Sequence, residues 1–183
     1  MTKVITGPKT RWSYANVWTP KSIQGSTPKY SVSLIIPKSD TNTVNKIKAA
    51  IKEAYEEGLS KLKGNAKVAP ALSVIKTPLR DGDLERAGDP AYAGAYFINA
   101  NATQAPGIVD KNREDIIDHS EVYSGVYGRA SITFYAFNSN GNKGIACGLN
   151  NLQKIADGEP LGGHVKAAVD FADCDDDDED FLD

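Results

Sequence analysis

The chain has 183 residues, 40% of them hydrophobic, and carries 21 Lys and Arg residues against 24 Asp and Glu residues. This length suits one well-buried domain and is short for two. The apolar runs are too short to span a bilayer, and residues 1–8 lack the apolar stretch of a secretion signal, so we expect a cytoplasmic protein without disulfides.

The first half of the chain predicts two strands and one helix. Residues 11–18 and 29–36 have the composition of β-strands, and a turn at residues 25–28 separates them. In residues 40–64 the apolar side chains recur every three or four positions, which predicts one amphipathic helix that ends at Gly64.

The second half predicts further strands joined by polar turns. Residues 102–114 read as a polar loop, residues 138–142 as a hairpin turn, and residues 150–163 as irregular chain or a short helix. Lys76 and Arg80 either extend a basic groove or are charged side chains that keep an edge strand exposed to solvent. The predicted strands cover residues 72–79, 94–99, 122–137 and 144–149. Short strands with one helix favour a mainly β fold, a small Greek-key barrel or sandwich.

The longest predicted strand, residues 122–137, has two different faces. Its even positions suit a core-facing side, whereas the odd positions include Tyr123, Tyr127, Arg129 and Tyr135. Bases stack on such rings while cations hold phosphates, so this face suits single-stranded nucleic acid. A second buried face or a subunit interface is the alternative, because tyrosines also abound there.

The first predicted strand adds aromatic residues beside basic ones. Strict alternation puts Trp12, Tyr14 and Trp18 on one side of it, and Lys9 and Arg11 lie next to Trp12. The three rings are consistent either with a stacking platform for bases or with the hydrophobic floor of a barrel.

Signals for catalysis are weak. His119 and His164 lie apart, Cys147 and Cys174 form no CxxC pair, and no phosphate loop or nucleophile elbow occurs. The carboxylates within residues 110–121 would suit a magnesium-dependent nuclease, but a solvated polar loop explains them better. We therefore expect no catalytic residue, no metal site and no cofactor.

The end of the chain is strongly acidic. Residues 170–183 hold nine of the 24 acidic side chains and no basic one, which leaves 15 acids against 21 basic residues, a formal charge of +6, in residues 1–169. We predict a folded domain over residues 1–169 and a disordered acidic tail over residues 170–183. A mobile polyanion of this kind can cover a cationic surface.

Four segments resemble a family of bacteriophage single-stranded DNA-binding proteins. They are residues 29–38 (KYSVSLIIPK), 123–130 (YSGVYGRA), 148–154 (GLNNLQK) and 157–163 (DGEPLGG). The resemblance implies an OB-fold core and sequence-independent binding of single-stranded DNA in phage replication, recombination or repair, in the cytoplasm of the infected host. It also implies an acidic C-terminal tail that ends near an aromatic residue, here Phe181.

These observations together predict a non-enzymatic single-stranded DNA-binding protein, an OB-fold-like Greek-key barrel with one peripheral α-helix and an acidic tail. The alternative is a protein-interaction module or DNA-mimicking adaptor that uses the aromatic face and the tail. Whether the protein forms a homo-oligomer stays open. Phe181 and Leu182 are predicted to bind replication or recombination proteins. Phosphates are assigned to Lys9, Arg11, Lys76, Arg80 and Arg129. Base stacking is assigned to Trp12, Tyr123, Tyr127 and Tyr135.

Overall fold

The computed structural model describes residues 2–22 and 25–161, so the predicted tail at residues 170–183 lies outside the described residues. Its strands are β1 (Thr2–Ile5), β2 (Arg11–Lys21), β3 (Lys29–Pro37), β4 (Leu79–Asp81), β5 (Ala95–Ala102), β6 (Gly107–Val109), β7 (Tyr127–Ser139) and β8 (Asn142–Ala156). Its helices are α1 (Thr41–Glu57), α2 (Leu59–Lys63) and α3 (Gly82–Glu85), with 3₁₀ turns at Leu72–Val74 and His119–Glu121.

Five strands close into a barrel in the order β2, β3, β5, β8, β7. The β5–β8 pairing is parallel and the other four are antiparallel, with β7 meeting β2 at the pair of Tyr127 with Arg11. The remaining strands attach outside this ring, β1 on β7, β4 on β5 and β6 on β8. A five-stranded Greek-key barrel of this kind is an OB fold, which confirms the predicted fold class.

Alternation along the strands builds the core. On β7, Ala130, Ile132 and Phe134 are buried inside the barrel, while the residues between them remain partly exposed. On β3, Leu34 and Ile36 enter the same core. The predicted core-facing side of the long strand is therefore confirmed over β7.

The peripheral helix packs its apolar face onto this core and divides at Gly58. The Asp40 side chain caps α1 by accepting a hydrogen bond from the Thr43 backbone N–H. A Cβ at position 58 would overlap the Cβ of Ala136 on β7. The close approach of helix and barrel thus explains why Gly58 separates α1 from α2, where the sequence predicted a single helix.

Several predicted boundaries are wrong. The long strand begins at Tyr127, because the preceding chain forms a 3₁₀ turn and then a tight turn at residues 124–125, where the φ of Gly125 is +125°. β8 continues to Ala156, through residues predicted as irregular, since it pairs with both β7 and β6. Residues 72–79 contain a 3₁₀ turn and only the first residue of β4. Neither β1 nor β6 was predicted.

The buried Cys147 lies inside the barrel, where burial raises the pKa of its thiol. No helix in the described part of the chain is long and apolar enough to cross a membrane.

Candidate nucleic-acid interface

A row of small or polar side chains runs around the outside of the barrel. Each member is the direct ladder partner of the next, across six strands. Each of these residues has at least one neighbour along its strand in the hydrophobic core, so the row itself points outward. At about 4.8 Å between strands, the row is roughly 24 Å long. This polar girdle consists of Lys3, Thr133, Gly148, Asn101, Ser31 and Asn16.

Hydrogen bonds orient the amide groups of this surface. The Asn16 side-chain amide donates to the Tyr14 carbonyl at 3.2 Å and to the Ser31 hydroxyl at 3.4 Å. At the opposite end, the Asn150 amide donates to the Thr133 hydroxyl at 2.8 Å. Asn150 is the extra residue of a bulge in β8, which places it beside the girdle.

A groove of about 460 Å³ opens at the middle of the girdle, where β5 meets β8. The Tyr135 ring stands over Gly148: a Cβ built on that glycine would lie 3.6 Å from the ring carbon Cε1. Lys29 lies at the rim and is exposed. An aromatic face, a cation and several amides therefore share one opening.

An aromatic and cationic cluster continues the girdle beyond Asn16. A bulge in β2 gives Tyr14 a positive φ of 47° and leaves 57% of the residue exposed. The Arg86 guanidinium lies 5.8 Å from the Tyr14 ring centroid, 5.4 Å from that of Tyr92 and 5.6 Å from that of Phe97. Cation–π contacts of this kind hold a positive charge close to an exposed ring.

A second aromatic cluster lies at the N-terminal end of β7, which is the end far from the central groove. Arg11 donates from Nε to the Gly125 carbonyl at 3.0 Å and from Nη2 to the Glu159 carbonyl at 2.6 Å, and its guanidinium lies 5.2 Å from the centroid of the Tyr127 ring. The Tyr123 hydroxyl donates to the Gly158 carbonyl at 2.9 Å. These side chains fasten residues 157–159 to the barrel.

Comparisons with known proteins agree on one family. The model of the single-stranded DNA-binding protein family of Enterobacter phage Enc34 matches residues 2–182. The chain belongs to this family. One relative, putative protein p50 of Acyrthosiphon pisum secondary endosymbiont phage 1, is 30% identical in an alignment of 171 positions that covers 89% of each protein.

Two solved structures of phage proteins have folds similar to that of this chain. The Enc34 single-stranded DNA-binding protein in complex with single-stranded DNA has a TM-score of 0.68 and 29% identity, covering 87% of this chain and 88% of that one. Gp2.5 of bacteriophage T7, also a single-stranded DNA-binding protein, has a TM-score of 0.62 and 15% identity, covering 91% and 98%. The second likeness shows a shared fold. The family resemblance predicted from the sequence is confirmed.

The residues predicted to bind DNA do not form one site. Tyr135 lines the central groove, but Tyr127 lies eight residues away along β7, roughly 26 Å. Lys76 is exposed and bridges to Gly144 of β8, four residues from the girdle glycine. Arg80 is ion-paired with Glu85 at 2.9 Å.

Two further predicted cations lie away from the groove. Lys9 is exposed in the turn between β1 and β2. Arg129 and Arg113 line a separate hollow of about 230 Å³ together with Ile5. These side chains add positive charge to the surface without joining the girdle.

The stacking role predicted for Trp12 is wrong. Its side chain is fully buried, and its indole N–H donates to the Gly128 carbonyl at 3.2 Å. The bulge at Tyr14 shifts the alternation of β2, so Trp12 and Val17 point inward while Tyr14 points outward. Strict alternation could not reveal this shift.

None of the six girdle residues was predicted from the sequence to bind DNA, although part of the signal was present. Ser31 and Ser33, like Asn99 and Asn101, alternate with apolar residues, which is typical of a polar outer face. What the sequence lacked was the register that aligns those positions across strands. In the described residues, no group of three or more His, Cys, Asp or Glu side chains could hold a metal ion.

Trp12→Phe should lower the free energy of unfolding by about 1–3 kcal/mol, because the smaller ring leaves a cavity and the Gly128 carbonyl loses its buried donor. Chemical denaturation measures this change. The affinity of the folded fraction for oligo-dT should stay unchanged. A loss of affinity without a loss of stability would return Trp12 to the list of stacking residues.

Proposed function

We propose that the protein binds single-stranded DNA along the polar girdle, independently of sequence and without catalysis, in phage replication, recombination or repair in the cytoplasm of the infected cell. The observation that carries this proposal is the central groove, in which Tyr135, Lys29 and several amides face one opening. The relative solved with single-stranded DNA, at 29% identity over most of both chains, supports it.

The chemistry of the girdle suits an unpaired strand. Small side chains such as Ser31 and Gly148 leave room for a sugar–phosphate backbone. The exposed Tyr14 ring and the partly exposed Tyr135 ring offer faces for stacking. Stacking is tolerant of sequence because every base has an aromatic face, and phosphates are held by nearby cations. The candidate cations are Lys3, Lys29, Lys76, Arg80 and Arg86.

We assign a different role to the far end of β7. Arg11 and Tyr123 donate hydrogen bonds to the carbonyls of Glu159 and Gly158, and the Tyr127 ring lies beside Gly158, so we propose that these side chains anchor that segment. Lys9 and Arg129 are proposed as peripheral cations that attract DNA without orienting a base.

Fluorescence anisotropy with labelled oligo-dT at two salt concentrations tests the proposal. The intact protein should bind at micromolar concentration or tighter, and more weakly as salt rises. Tyr135→Ala should weaken binding by about 1–3 kcal/mol with little loss of stability. Tyr127→Ala, the matched control on the same strand, should mainly lower the melting temperature.

The opposite pattern, with affinity lost at Tyr127 and retained at Tyr135, would move the DNA site to the far end of β7. Absence of binding by the intact protein and by a variant truncated after Val169 would favour the protein-interaction module.

We also propose that residues 170–183 regulate this binding and recruit proteins. Nine carboxylates on this segment can compete with DNA for the cations of a body whose formal charge is +6. Phe181 and Leu182 are an apolar pair within the polyanion, which suits a pocket with a basic rim on a replication or recombination enzyme.

Truncation after Val169 should tighten oligo-dT binding roughly fivefold or more at low ionic strength, a coupling of about 1 kcal/mol. The gain should shrink near about 0.3 M salt, because screening weakens the competing contact. Phe181→Ala is the control: it should abolish pull-down of the host or phage partner and leave DNA affinity unchanged. Equal affinities of the truncated and intact proteins at low salt would rule out competition.

A further inference from the structure

Gly148 is an exception among the glycines of this fold. Glycine weakens a β-strand, so its presence there usually reflects a positive φ, a close packing contact or a nearby ligand. Of the fourteen glycines in residues 2–22 and 25–161, thirteen have either a positive φ or a neighbouring atom less than 3.0 Å from the place that an added Cβ would occupy. Gly148 has neither.

The fold itself therefore gives no reason for glycine at this position. An added Cβ would lie 3.6 Å from the Tyr135 ring and 3.7 Å from the Thr133 carbonyl oxygen, both ordinary van der Waals distances. Gly144, on the same outer side of β8, contrasts with it, because a Cβ there would lie 2.6 Å from the Lys76 carbonyl oxygen. We therefore infer that position 148 is glycine because a ligand approaches it from the open side of the strand.

The surroundings of Gly148 indicate what approaches. The Tyr135 ring forms one wall of the groove, and Asn101, the β5 partner of Gly148, lies directly beside it. Gln104 and Asn150 add further amide donors and acceptors. The volume of about 460 Å³ is within the range of small-ligand sites.

Resting on the proposed function, we propose that this groove is a nucleotide subsite. One base stacks on the Tyr135 ring, its edge meets the amides of the groove, and the attached sugar–phosphate crosses Gly148 towards Lys29. Glycine is required because a side chain at this position would occupy the path of the backbone. Gly148 is thus a positioning residue that admits the strand to the stacking face.

Gly148→Val places three carbon atoms on the floor of the groove and tests the proposal directly. We expect oligo-dT affinity to fall about tenfold or more, the size of a lost stacking contact. The melting temperature should be unchanged or higher, because valine favours strands. Ala156→Leu adds the same number of carbons to an exposed position at the end of β8 and should leave affinity unchanged.

A double variant tests whether Gly148 and Tyr135 contact the same nucleotide. If Gly148→Val and Tyr135→Ala disrupt the same contact, the double variant should bind no more weakly than the weaker single variant. Fully additive losses would mean that the two residues act on different parts of the strand and would overturn the subsite.

The remaining outcomes show which of the two proposals fails. If the intact protein binds oligo-dT and Gly148→Val binds equally well, the subsite is wrong and the proposed function stands. If the intact protein fails to bind, both fail. Should Gly148→Val not fold, Gly148→Ala decides: its Cβ fits without a clash, so reduced affinity supports the subsite and unchanged affinity overturns it.

Discussion

The seam between β2 and β7 closes the barrel, and the outer surface depends on that closure. Three backbone hydrogen bonds join the two segments. Trp12 N donates to the Val126 carbonyl at 2.9 Å, Gly125 N to the Trp12 carbonyl at 2.7 Å, and Gly128 N to the Thr10 carbonyl at 2.8 Å. The buried Trp12 indole adds a fourth contact, to the Gly128 carbonyl. Closure buries alternate residues of the barrel strands, and it fixes the register in which their outward residues meet.

Features that depend on residues close together in the chain could be predicted from the sequence, whereas features that depend on strand pairing could not. Alternation on β7 and the hairpin after it were predictable because both depend on residues near one another in the chain, including the positive φ of Asn140 and Gly141 in the turn. The bulge at Tyr14 was not, because it depends on how β2 pairs with β3. The extent of β8 likewise depends on two partner strands.

The shared fold alone does not determine the function of this chain, whereas the side chains of the candidate site bear on it directly. Gp2.5 of T7 has the same architecture at 15% identity, so very different sequences build this barrel. Function depends on the side chains that a particular chain places on it. Here we propose that those are the outward Asn, Ser and Gly residues of the girdle, with Tyr14 and Arg86 at one end and Tyr135 at the centre.

Single-stranded DNA is proposed to lie across the girdle. Titration of ¹⁵N-labelled protein with oligo-dT, followed by amide chemical shifts, tests this proposal residue by residue. DNA bound in this position should cause the largest shifts at Ser31, Asn101 and Gly148 and only small changes at residues 157–159. Large shifts at residues 157–159 and an unperturbed girdle would contradict it.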